Sequence, residues 1–149
     1  MMRGALCLLV LATAACGEFP RDPQGTLDQV RSTRVFLVGM VAPLGEGPAD
    51  PKVEALLRGV AAASGASPRV ESGDMESLLD RLEEGQLDLV VGRFEAKSPW
   101  ATLVSFSPPL AKEKQGRTEF HLAAAMRNGE NAWIGLVERE ARRVAPEAQ

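Results

Sequence analysis

Side chains able to do chemistry are few in this chain. Its one histidine, His121, lies in the apolar stretch FHLAAAM, and no G-x-S-x-G elbow accompanies it, so a Ser-His-Asp relay has no frame. It reads as a strand histidine, packed or at an edge. One histidine with the cysteines Cys7 and Cys16 does not make up a zinc site. The carboxylates form no pair recognisable as a glycosidase couple. In GEGPAD, residues 45–50, Asp50 stands where a dinucleotide turn needs its third glycine, Pro48 intrudes, and the Lys-Ser/Thr of a phosphate loop is missing. No catalytic residue, metal or cofactor is expected, and the chain reads as a non-enzyme.

Binding chemistry is concentrated in one segment, DLVVGRFEAKSPWATLVSFSPPL, Asp88 to Leu110. An apolar run gives way to Arg93, Glu95 and Lys97 at alternate positions. Ser98 and Pro99 then have the pattern of an N-cap followed by proline at the first helical position, which predicts a short helical turn carrying Trp100. Trp100 offers a stacking face for a sugar, an aromatic or a cationic solute, or else packs the turn onto the sheet. Glu95 and Lys97 also fit plain solvated loop charges. Pro43, Leu44 and Gly45 follow the first strand and form the candidate opposite wall, because open α/β sheets bind ligands at the carboxyl ends of their strands.

The elements that must position this loop alternate. RVFLVGMV, Arg34 to Val41, is apolar throughout, as expected of a strand covered on both faces. Asp50 and Pro51 start a helix with Val53, Leu56, Leu57, Val60 and Ala61 on one face and Gly65 as its stop. A short strand around Arg69 to Glu71 follows, then a helix with Met75, Leu78, Leu79 and Leu82, Gly85 after it, and a buried strand from Leu87 to Val91. This βαβαβ order implies a parallel sheet with right-handed crossovers. Thr102 to Phe106 and Glu119 to Met126 are the fourth and fifth strands. A last helix buries Trp133, Leu136, Val137, Ala141 and Val144, and places Arg139, Arg142 and Arg143 near its C-terminus, where the helix dipole favours cations.

The N-terminus reads as an export signal. Met1-Met2-Arg3 precedes ALCLLVLATAA, Ala5 to Ala15, too short to span a bilayer but proportioned as a secretory signal peptide. ATAAC resembles a bacterial lipobox, with Thr13 where an aliphatic residue is usual, which makes Cys16 the lipidation candidate. Ordinary cleavage near Ala15, with Cys16 a bystander thiol, is the other reading. Cys7 would leave with the signal, so no intrachain disulfide can form. Residues 17–33 carry Pro20, Pro23 and Gly25 and read as a flexible tether, and 146–149 as a frayed tail. The expected location is the periplasm, lipid-anchored, with Gly17 rather than aspartate after the cysteine favouring the outer membrane. Loss of residues 1–15 removes only Arg3, leaving 16 basic and 20 acidic side chains and a net charge of −4, which excludes nucleic acid as a partner.

Taken in order, the pieces resemble the first lobe of the bacterial family 3 extracellular solute-binding proteins, the periplasmic receptors of amino-acid-type ABC importers. LLDRLEEGQLDLVVG carries the family's Leu-x-x-G-x-x-D run, VSFSPPL resembles its Phe-Ser-x-Pro-Tyr with Leu110 in place of the tyrosine, and FHLAAAMRNGENAWIGLVEREA resembles its return segment. The resemblance covers residues 34–144. It implies a single three-layer α/β lobe of the periplasmic-binding-protein type 2 fold over residues 34–145, with a mixed, mostly parallel five-stranded sheet and flanking helices. It also implies a small-molecule solute and an ABC permease as partners. Only eight residues, Ala111 to Thr118, stand where the family builds its second lobe. Aligning Asp88 and Phe106-Ser107 with the family puts Glu95 and Lys97 at its threonine positions and Trp100 at the arginine that clasps a solute carboxylate. The usual amino-acid clamp is therefore absent. Two functions follow as expectations: a lipid-anchored lobe binding a small solute at its open mouth, or a non-catalytic interaction lipoprotein using that surface for a protein partner or a homodimer.

Overall fold

The computed structural model describes residues 22–43 and 50–148. Strands β1 (Val35–Val41), β2 (Ser67–Gly73) and β3 (Leu89–Glu95) run parallel, joined by helices α2 (Pro51–Ser64) and α3 (Met75–Glu83). Local chemistry sets the helix ends. Asp50 accepts from the N–H groups of Lys52 and Val53 at the start of α2, and Gly65 closes it at φ +73, a conformation that other residues adopt only at a cost. Asp74 caps α3 by accepting from Ser77 N–H. A short strand β4 (Val104–Phe106), then β5 (Ala111–Gln115) and β6 (Thr118–Arg127), complete the sheet before helix α4 (Asn131–Val144).

Strand order is β2-β1-β3-β6-β4, with β5 also lying along β6. Phe36, Val38, Met40 and Val91 bury on one face beneath α2, α4 and a further helix, α1 (Thr26–Thr33). Trp133 of α4 is fully buried there, edge-on to Phe36 at 5.8 Å, and its indole N–H donates to Asp88 O. The other face is covered by Leu78, Leu79 and Leu82 of α3, packed on Val90 and Phe94. Each such large apolar side chain stabilises the fold by roughly 1.5–3 kcal/mol.

Three expectations are corrected. The sheet has six strands, and three of its five pairings (β3–β6, β4–β6 and β5–β6) are antiparallel, so it is mixed but not mostly parallel. The segment Ala111 to Thr118 supplies the added strand and one of the antiparallel pairings, β5–β6. It forms β5 and a two-residue turn at Gly116-Arg117 instead of a bare linker, with Gly116 at φ +62, and so short a connection can only be antiparallel. The tether expected up to residue 33 ends earlier, because α1 buries Leu27 and Val30 in the main core. The tail is ordered too: Pro146–Ala148 make a 3₁₀ turn, and Glu147 pairs with Lys52 at 2.7 Å. Cys16, the signal segment, Leu44 and Gly45 lie outside the described residues, among which no helix is long and apolar enough to cross a membrane.

Candidate functional site

Alternation along β3 decides what faces outward. Phe94 is buried against Phe106, ring centroids 4.7 Å apart, so Arg93 and Glu95 emerge on the opposite face. Gly92 makes the approach to this end of the strand possible, since a Cβ there would lie 2.7 Å from Val41 Cγ2. Antiparallel register then sets Glu95 and Glu113 on either side of Phe120, in one row across three strands. Arg93 reaches over β6 to Glu113 at 3.4 Å, a partly exposed pair worth about 0–1 kcal/mol.

After β3 the chain turns back. Ser98 N–H donates to Glu95 O at 2.9 Å, Ser98 Oγ accepts from Trp100 N–H at 3.3 Å, and Pro99–Thr102 form a 3₁₀ turn. Trp100 is half-buried and packs against the α3-side cluster. It therefore packs the turn onto the sheet, and it also helps to wall a concavity of about 200 Å³ with Met75, Arg93, Glu95, Ser98, Pro99 and Phe120. Glu95 divides this space from a second one of about 360 Å³, where Lys97 lies with Ala96, Arg117, Thr118 and Glu119. His121 faces neither. It lines a smaller 90 Å³ cavity and meets Glu119 at 2.9 Å, a hydrogen bond that holds the Glu119 carboxyl below its ordinary range.

Of the candidate residues, Arg93, Glu95 and Trp100 come together, while Lys97 sits across Glu95 from them. Pro43 is exposed, follows a cis bond from Ala42, and lines neither concavity. Sequence reasoning missed Met75, Glu113 and Phe120. Sequence reasoning places Phe120 only within the fifth strand, and the β3–β6 register is what brings it beside Glu95. Among the described residues no group of histidine, cysteine or carboxylate side chains is arranged to hold a metal ion.

The opposite end of the sheet holds a polar cluster built around one buried carboxylate. Glu130, fully buried, accepts from the N–H groups of Gln24 (2.9 Å) and Thr26 (2.7 Å), and Arg127 Nη2 donates to Thr26 Oγ1 at 2.8 Å. Burial alone would raise the Glu130 pKa, but hydrogen bonds from the Thr26 backbone and side chain and from Gln24, with the Arg127 charge, outweigh it and bring it below 4.5. Nearby Asp88 shifts the other way. Burial pushes its carboxyl above 3.8, against a hydrogen bond from Leu37 N–H and the Arg127 charge.

No protein-family model matches the sequence, and no curated protein does. Solved structures do. Domain 1 from TmArgBP, in a point mutant's arginine-bound form, is 18% identical with a TM-score of 0.65, covering 79% of this chain and 97% of that one. The fold is that of one lobe of a periplasmic binding protein. An amino acid ABC transporter substrate-binding protein from Streptococcus pneumoniae bound to L-arginine gives a TM-score of 0.67 at 11% identity, covering 83% of this lobe's chain and 93% of its own. An ancestral cationic amino acid solute-binding protein, also described as a precursor of cyclohexadienyl dehydratase, gives 0.65 at 12% identity over 82% and 94%. At these identities the likeness carries the architecture alone, and the side chains of the mouth are this lobe's own.

Proposed function

We propose that this chain is a non-enzymatic solute-binding lobe, exported and held at the periplasmic face of a membrane by a lipid on Cys16. It takes a small solute in the concavity beside Trp100 for an ABC permease. The observation that carries this reading is the convergence of Arg93, Glu95, Trp100 and Phe120 around one open space of about 200 Å³ at the carboxyl end of β3, where open α/β sheets bind ligands. The structural neighbours are solute-binding proteins, several in arginine-bound form, which supports a nitrogenous solute.

A thermal-shift screen of the full chain against amino acids, polyamines, sugars and organic acids tests the reading. A solute at 100 times its dissociation constant stabilises a fold by about 2.7 kcal/mol, a clear rise in melting temperature. Dose-dependent stabilisation that Trp100→Ala abolishes is the expected result. A flat screen on a folded chain, or a hit indifferent to Trp100→Ala, overturns solute binding at this site.

A further inference from the structure

We propose that the Trp100 concavity takes the cationic end of an organic amine or guanidine and requires no carboxylate on its ligand; the inference rests on the solute-binding reading above. The charges of the cavity point this way. Its one basic residue, Arg93, is already engaged by Glu113 at 3.4 Å, and Lys97 lines the neighbouring concavity instead. A ligand carboxylate would have to compete with Glu113 for Arg93. Glu95, by contrast, has no ion-pair partner among the described residues and lines the space directly. Two half-buried aromatic side chains, Trp100 and Phe120, line the same space, with Phe120 in register with Glu95 across the strand pair. Aromatic faces attract cations through their quadrupole, and a carboxylate beside them adds a charge-assisted hydrogen bond to an ammonium or guanidinium.

Size narrows the ligand further. At about 200 Å³ the concavity falls below the roughly 300–1,000 Å³ typical of sites for drug-sized ligands. It suits a charged head and a short aliphatic stem, which Met75 can cover with its flexible thioether. A sugar's hydroxyls could donate to Glu95 but bring no charge to balance it, and an anion would meet Glu95 with Arg93 already shared with Glu113.

Titration calorimetry on the full chain with agmatine and L-arginine separates the possibilities, because the two share a guanidinium and differ by one carboxylate. Agmatine is expected to bind at least tenfold more tightly than L-arginine. Glu95→Gln is expected to weaken agmatine at least tenfold, with the melting temperature unchanged. Trp100→Phe should keep most of the affinity and Trp100→Leu should lose it, which distinguishes a lost π face from a misfolded turn. L-Arginine binding as tightly as agmatine, or affinity indifferent to Glu95→Gln, overturns the cation assignment and leaves solute binding standing. A sugar or organic acid binding at this site while both guanidines stay silent does the same. No heat with either guanidine and a flat solute screen overturn both readings.

Discussion

The two ends of the sheet use similar residues in opposite ways. At the amino ends of β1 and β3, Asp88 and Glu130 accept from backbone N–H groups, and Arg127 donates to Thr26 Oγ1, so that Glu130 and Arg127 help clamp the N-terminal segment to the return strand. At the carboxyl ends, Glu95, Lys97 and Trp100 lie open around two concavities, and Glu95 and Lys97 have no ion-pair partner among the described residues. Buried charge is tolerated only when it is hydrogen-bonded, so the first end is committed to stability. Exposed and unpaired charge adds little to folding and stays available to a ligand. Polar residues at the amino end, Glu130 above all, should thus set the melting temperature, and those at the mouth the affinity.

Glu130→Ala should give the largest effect. It strands the N–H groups of Gln24 and Thr26 and leaves Arg127 without its neighbouring carboxylate, a loss of about 2–4 kcal/mol measurable by urea denaturation. A loss below about 0.5 kcal/mol would erase the contrast between the two ends.

Acid titration sharpens the same point. Glu130, held below 4.5 in the folded state, contributes stability that is full above that value and is lost as pH falls through the lower folded value. Asp88, held above 3.8, costs stability while ionised and gives it back as it protonates. Unfolding curves below pH 4.5 should therefore flatten in Glu130→Gln and steepen in Asp88→Asn.

Leu27→Ala comes next, at about 2 kcal/mol from lost burial in the main core. A tether would show no change, so the melting temperature of this variant decides whether α1 belongs to the lobe. Gly116→Ala should cost about 1 kcal/mol, because the turn needs φ +62 and an added Cβ meets nothing within 4 Å. Solute affinity should not move. Glu95→Gln closes the series, with stability within about 0.5 kcal/mol of the parent. If it instead destabilises the fold as much as Glu130→Ala, the mouth is structural and the division fails.

Much of the frame could be read from residue order. Apolar β-branched runs marked β1 and β3, and Asp50-Pro51 and Gly65 marked the ends of α2. These are local signals, carried by a few neighbouring residues, and they survive without knowledge of the fold. The short helix α1 escaped because its apolar side rests on only Leu27 and Val30 amid polar residues. The strand β5 escaped because an edge strand of mostly charged, exposed residues has no apolar alternation to announce it.

The sequence by itself determined the alternation of strands and helices and put forward the candidates Arg93, Glu95, Lys97 and Trp100. Only the tertiary structure decided their company. It paired Arg93 with Glu113, set Phe120 beside Glu95, and placed Lys97 in a separate concavity. Register between antiparallel strands depends on the whole hydrophobic pattern and on the turn that joins them. A one-residue slip of β6 would send Phe120 to the other face, away from Glu95 and Glu113.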